Sequence, residues 1–180
     1  YEKGTWTLSG RYSLEILLKN NSRLLSKNIY IPIFNCPSVH QVIKKYFKNI
    51  YFYDLDLNFN PKLKKIKKNS IILLVNYFGL QTIYNKSNLI IEDLSHCFLD
   101  KKKLENKNFY FMSLRKFGIF NYGGWSNVDL RENLIKKNIK LMEEYRKKKY
   151  VYLKSFKNNK KIEFNLLKEL KIQEKKITTK

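Results

Sequence analysis

Cysteine is scarce in this chain, and so is negative charge. Only two of the 180 residues are cysteine, Cys36 and Cys97. They lie far apart and neither has a CxxC partner, which speaks against a disulfide framework or a zinc site. Free thiols in a reducing cytoplasm are the expectation. No stretch of eighteen apolar residues occurs, and the first residues lack the charged-then-apolar order of a secretory signal. Neither a membrane span nor export is therefore expected. The chain opens on Tyr1 rather than methionine, which suggests a fragment or a processed product. No internal repeat is visible.

Acidic residues number 15 against 37 Lys and Arg, a formal net charge of +22. Such an excess favours polyanions: nucleic acid, an acidic membrane surface or a nucleotide-bearing substrate. Much of it lies in residues 62–68, 101–103, 136–149 and 154–180, where solvated faces and a tail are the ordinary reading. Apolar and aromatic residues, by contrast, are plentiful. They make up 43% and 15% of the chain, which argues against disorder over most of its length. This many residues suffice for one domain with a real core and an extension.

Taken in order, Leu14, Leu17 and Leu18 recur at helical spacing, with Ser9-Gly10 in the turn before them. Free N–H groups at a helix start make an anion seat, and Arg11 adds a positive charge there. A strand at Ile29-Tyr30-Ile31-Pro32-Ile33 leads through a loop to a helix carrying Val39, Val42, Ile43, Tyr46 and Phe47. Ile50-Tyr51-Phe52-Tyr53 is the next strand. Pro61 can open a helix bearing Leu63 and Ile66. Ile71-Ile72-Leu73-Leu74-Val75 is apolar on both sides, as a central parallel strand with covered faces should be. Further strands are expected at Leu89-Ile90-Ile91, Phe109-Tyr110-Phe111-Met112 and Ile119-Phe120. Strands separated by helical segments predict parallel crossovers and an α/β fold. Past Trp125 the pattern becomes a long lysine-rich helix, a short strand at Val151-Tyr152-Leu153, a helix over residues 162–170 and a frayed end.

Two strand ends stand out. Ile90-Ile91-Glu92-Asp93 finishes in a carboxylate, with His96 three residues later, and the strand ending at Met112 is followed by Lys116. Ligands of α/β sheets bind at the C-terminal strand ends, so an acid and a lysine there face one crevice. That pairing suits a cofactor with an aldehyde for the lysine and a ring nitrogen for the acid, which is pyridoxal phosphate.

The ordered set is wider than those two strand ends. Ser9-Gly10 precedes Ile31-Pro32 with Cys36-Pro37-Ser38-Val39, then Asp54-Leu55-Asp56, Asn76-Tyr77-Phe78-Gly79, Ile91-Glu92-Asp93 with His96, Ser113-Leu114-Arg115-Lys116 and Gly123-Gly124. From about Leu8 to Trp125 it resembles the large domain of the DegT/DnrJ/StrS family. These are sugar aminotransferases of the aspartate aminotransferase fold that use pyridoxal phosphate. The resemblance implies a three-layer α/β sandwich around a mostly parallel sheet in residues 1–125. Residues 126–180 would be a lysine-rich helical extension in place of the family's small C-terminal domain.

The resemblance also implies roles. Lys116 matches the lysine that holds the cofactor and moves the substrate proton, tasks that need some neutral amine, which adjacent Arg115 promotes. Asp93 matches the acid paired with the ring nitrogen, and His96 a position beside the ring hydroxyl. Ser9, Gly10 and Arg11 fall where the phosphate is held, with Ser113 as a second phosphate contact. Cys36 stands where many members place an aromatic ring against the cofactor. Arg11 replaces a residue that is commonly small and hydroxylated, and the interval from Asp93 to Lys116 is shorter than usual. A keto-sugar substrate, nucleotide-linked, with glutamate as amino donor and a homodimeric assembly, follows from the same likeness. Two other readings stay open: a non-catalytic relative acting as a binding partner, and a basic protein that binds nucleic acid non-specifically.

Overall fold

Every residue of the strand Ile71–Val75 is buried, and its two faces feed two different clusters. Ile71, Leu73 and Val75 join Leu14, Leu17, Leu18, Val39, Val42 and Ile43 in the main core. Ile72 and Leu74 point the other way, against Tyr30, Tyr53 and Ile90. Side chains alternate across a strand, so an unbroken apolar run is stable only when both faces are covered. The structure, a computed structural model, describes residues 4–63, 65–80, 88–97, 108–117, 123–129, 132–156, 168–170 and 172. The chain divides into two units, Tyr1–Asp129 and Leu130–Lys180.

The first unit runs β1 (Thr5–Thr7), α1 (Gly10–Asn20), β2 (Ile29–Pro32), α2 (Pro37–Tyr46), β3 (Ile50–Tyr53), β4 (Ile71–Val75), β5 (Leu89–Asp93), β6 (Phe109–Ser113) and β7 (Gly124–Ser126). The seven strands form one sheet in the order β1-β7-β6-β5-β4-β2-β3. From β3 to β6 every neighbouring pair is parallel. The expected mixed α/β class with a mostly parallel sheet is what the chain adopts. β7, however, runs antiparallel to β6, and β1 antiparallel to β7. Neither three-residue strand has enough alternation to stand out in the sequence, and β1 was not expected at all.

α1 begins where Ser9, in extended conformation, caps it: the Ser9 hydroxyl accepts from the Tyr12 N–H at 3.3 Å. Its leucines 14, 17 and 18 are wholly buried on the core side. α2 opens on Pro37, whose missing N–H costs nothing in a first turn. Glu15 of α1, buried, accepts from the Lys45 ammonium at 2.5 Å and the Tyr46 hydroxyl at 2.9 Å, tying α1 to α2. Burial, and then the Glu15 hydrogen bond, push the Tyr46 hydroxyl well above its ordinary value.

Several expectations change. No helix follows Pro61 among the described residues; Pro61 instead bridges to Leu55. Leu55, Leu63 and Ile66 still pack on the second face of the sheet, so the apolar pattern reported a covering segment rather than a helix. The strand expected at Ile119-Phe120 lies outside the described residues, as does most of the helix expected over residues 162–170. Val151-Tyr152-Leu153 is not a strand: it continues α3 (Glu132–Phe156) in the second unit. Val151 and Tyr152 prefer a strand by too little to break a helix already propagating through them, and Leu153 favours the helix. No described helix is long and apolar enough to cross a membrane.

Gly124 is pressed against the start of α1. A Cβ there would lie 2.4 Å from the Ser9 carbonyl carbon and 2.5 Å from the Ser13 hydroxyl. Gly124→Ala is expected to destabilise the chain by about 1–3 kcal/mol, the usual cost of overpacking, read as a lower urea midpoint. An unchanged midpoint would show that α1 does not sit this close to β7.

Candidate functional site

The C-terminal ends of β4, β5 and β6 lie side by side, since Val75 pairs with Asp93 and Asp93 with Phe111. The chain leaving each end supplies a polar group, as expected at this edge of a parallel sheet. Asp93 ends β5 with 3% of its surface exposed. Its Oδ1 accepts the Ser95 N–H at 2.9 Å. The Ser95 hydroxyl accepts in turn from the Ser113 N–H at 2.9 Å, fastening the end of β6 to the turn after β5. Ser113 also abuts Gly10: a Cβ on Gly10 would stand 2.8 Å from the Ser113 Cβ. The first turn of α1 is thereby brought against the same strand end.

Lys116 lies in a short 3-10 turn, Leu114–Phe117, directly after β6. Its ammonium nitrogen is 2.7 Å from His96 Nε2. Burial pushes the Asp93 carboxyl above the usual carboxylate range, while the Ser95 hydrogen bonds and the charges of Lys116 and His96 pull it back. Burial lowers the His96 imidazole, helped by Lys116 and opposed by Asp93. A neutral imidazole is thus favoured beside the lysine, and its lone pair can accept a Lys116 N–H.

Cys36 is the exposed N-cap residue of α2, with its sulfur 3.1 Å from the Ser38 hydroxyl. Partial burial raises its thiol, but the Ser38 and Val39 hydrogen bonds and the Lys116 charge outweigh that and leave it below its ordinary value. Of the residues singled out from sequence, Asp93, His96, Ser113 and Lys116 therefore converge at adjoining strand ends. Ser9 and Gly10 adjoin them through Ser113. Cys36 is linked to them by the field of Lys116 rather than by a hydrogen bond. Arg11 is half-buried in the first turn of α1.

The sequence reading overlooked a wall of aromatic rings beside His96. Phe78 meets the imidazole edge-on at 5.8 Å and Tyr77 lies 6.1 Å from it. Phe59 packs on Tyr77 at 5.1 Å, and Phe34 at 5.8 Å. The Tyr77 hydroxyl donates to the Phe34 carbonyl, and burial, then the Asp93 charge, push that hydroxyl up to about 12. Phe34 and Phe78 remain 65% and 69% exposed, so the wall is open to a ligand. Phe78 holds φ at +56°, a region non-glycine residues rarely occupy, next to Gly79 at +77°. The Asn76-Tyr77-Phe78-Gly79 run after β4 was the available signal. Phe34 and Phe59 come from distant loops, and no spacing announces them.

No family model matches the chain, and no curated protein matches it. Solved structures do. A NifS-like protein from Rickettsia africae aligns with a TM-score of 0.51 and 17% identity, covering 72% of this chain and 42% of that one. Spr1654 of Streptococcus pneumoniae, assigned as a sugar aminotransferase, gives 0.54 and 14% over 72% of this chain and 41% of its own, and is also solved in a PMP form. A DegT DnrJ EryC1 StrS aminotransferase from Brucella abortus gives 0.51 and 18% over 69% and 42%. At these identities the likeness is one of fold: the chain has an aminotransferase-like fold over about 70% of its length. It spans about two fifths of the length of the solved structures it matches.

Because the folded Asp93 carboxyl titrates above its unfolded value, it stabilises the fold only while protonated. That stability is lost as pH rises through the folded value. Above the ordinary carboxylate range the buried group therefore costs stability. Asp93→Asn keeps an acceptor for the Ser95 N–H and is expected to raise the melting midpoint by about 2–4 °C, the effect of about 1 kcal/mol in a chain of this size. A lower midpoint in the variant would mean that the carboxylate is stabilising where it stands.

Proposed function

We propose that these strand ends bind pyridoxal phosphate, and that the chain carries the cofactor-binding part of an aminotransferase acting on a keto-sugar. The observation that carries the reading is the 2.7 Å approach of Lys116 Nζ to His96 Nε2, with the Lys116 charge reaching the buried Asp93. The donor set fits the cofactor in chemistry: a carboxylate for its ring nitrogen, an imidazole for its ring hydroxyl and an amine for its aldehyde. The capped start of an eleven-residue helix, α1, is available for its phosphate. When bound, the cofactor supplies an aldehyde for amines and a protonated ring that accepts the electrons released at the substrate carbon.

The chain's own residues do the rest. Asp93 would hold a proton on the ring nitrogen, and the cation so formed would relieve the cost of burying its carboxylate. Neutral His96 accepts an N–H from Lys116 and so orients the amine. Lys116, once it has given up a proton, is the base placed to move one at the substrate carbon. Phe34 and Phe78 offer exposed ring faces that limit water on one side of the site. Ser9, Gly10, Arg11 and Ser113 are proposed for the phosphate, and Cys36 for the cofactor ring.

The finer parts of the proposal rest on likeness. A nucleotide-linked keto-sugar, glutamate as amino donor and a homodimer follow the family resemblance, and Spr1654 is itself assigned as a sugar aminotransferase. The basic charge of +22 suits a diphosphate-bearing substrate. Cys36 and Cys97, neither of them in a disulfide, suit a reducing cytoplasm.

The test is optical. Wild-type protein titrated with pyridoxal phosphate is expected to develop a visible absorption band, which Lys116→Ala abolishes. A colourless wild type that retains no cofactor would sink the reading. Acidification has a defined sign too. Protonating His96 removes the lone pair facing Lys116, so cofactor affinity is expected to fall as pH drops below the ordinary imidazole value of 6.5. His96→Gln, which keeps an acceptor but does not titrate, is expected to flatten that dependence in equilibrium titrations.

A further inference from the structure

The second unit contains a feature that the proposed cofactor site does not use. α3 is 25 residues long, and along its C-terminal half Arg146, Lys147, Tyr150, Val151, Leu153 and Lys154 are all exposed. Tyr150 presents 64% of its surface to water. Residues three and four apart share a helix face. Arg146, Tyr150 and Lys154 therefore form one stripe, with Lys147 beside it. Glu143, four residues before Lys147, is the acid nearest this stripe in the helix. Lys148 and Lys149 are engaged elsewhere, Lys148 with Glu169 at 3.9 Å and Lys149 over the Tyr145 ring at 5.9 Å. Among the described residues, none of Arg146, Lys147 and Lys154 is in an ion pair.

An exposed aromatic ring with cations one turn to either side along a helix has a restricted set of partners. A helix that lies on a membrane separates its apolar face from its charged one. Here they are interleaved, with cations one turn before and one turn after Tyr150. A flat apolar surface flanked by positive charge matches a ligand that alternates flat rings with negative charge. We propose that this face of α3 binds single-stranded nucleic acid without sequence preference, stacking a base on Tyr150 and seating the flanking phosphates on Arg146, Lys147 and Lys154. The activity is independent of the cofactor site, since none of these residues is part of it.

The experiment uses the full chain and a fluorescently labelled oligo(dT), with anisotropy followed from low to high salt. Tyr150→Ala is expected to weaken binding about fivefold or more at every salt concentration and to leave the salt slope unchanged. Replacing Arg146, Lys147 and Lys154 together by alanine is expected to reduce the slope of log K against log salt by about 2, from roughly 0.7 per phosphate contact on a single strand. Alanine favours the helix, so these variants keep α3, and circular dichroism checks that they do. The control replaces exposed Lys44, Lys48 and Lys68 of the first unit by alanine. Equal loss of slope in this control, or wild-type affinity in Tyr150→Ala, would overturn the proposal by reducing the binding to diffuse charge. It is also overturned if Tyr150→Ala loses binding to phosphatidylserine vesicles yet keeps its affinity for the oligonucleotide, since the face would then serve a lipid surface.

Discussion

A carboxylate buried at the end of a central strand is the constraint around which this molecule is arranged. β5 lies between β4 and β6, and its register places Asp93 between Val75 and Phe111. β4 ends level with it at Val75, β6 runs on past it to Ser113, and the residue is left 3% exposed. An ionised carboxyl in that position is costly unless hydrogen bonds and nearby positive charge offset the lost hydration. Ser95 supplies the first, and Lys116 the second. Chemistry that needs a fixed negative charge in a sheltered place is the natural use of such a group.

The shelter depends on close contacts made by the smallest residues. Gly10 lets the start of α1 touch Ser113 on β6, and Gly124 lets β7 pass under Ser9 and Ser13. With side chains at those positions, α1 could not approach, and Ser9 would leave the neighbourhood of the strand ends. Glu15, buried and tied to Lys45 and Tyr46, holds the same helix to α2. α2 in turn carries Cys36 at its start. Packing and polar placement are thus one problem here: the helices that cover the core face also deliver the groups at its edge.

The core strands were legible because burial on both faces leaves a continuous apolar run, and Ile71–Val75 and Phe109–Ser113 are such runs. α1 and α2 were legible from leucine, valine and isoleucine at helical spacing. What failed was short or locally ambiguous. β1 and β7, three residues each, pair antiparallel with each other across almost the whole first unit. Val151 and Tyr152 prefer strands in isolation but continue a helix. Pro61 looked like a helix start, yet its segment covers the sheet in irregular conformation.

By itself the sequence determined the α/β class, the strand that ends in Asp93, the one that leads to Lys116, and the order of groups along the chain. Each of these depends on local pattern, which periodicity exposes. Only the tertiary structure decided that Lys116 faces His96, that Ser95 joins Asp93 to Ser113, and that Phe34 and Phe59 gather with Tyr77 and Phe78 beside the imidazole. Those contacts join residues brought together by strand order and loop path. Strand order is set by how whole faces bury against one another, and no local window of sequence contains that information.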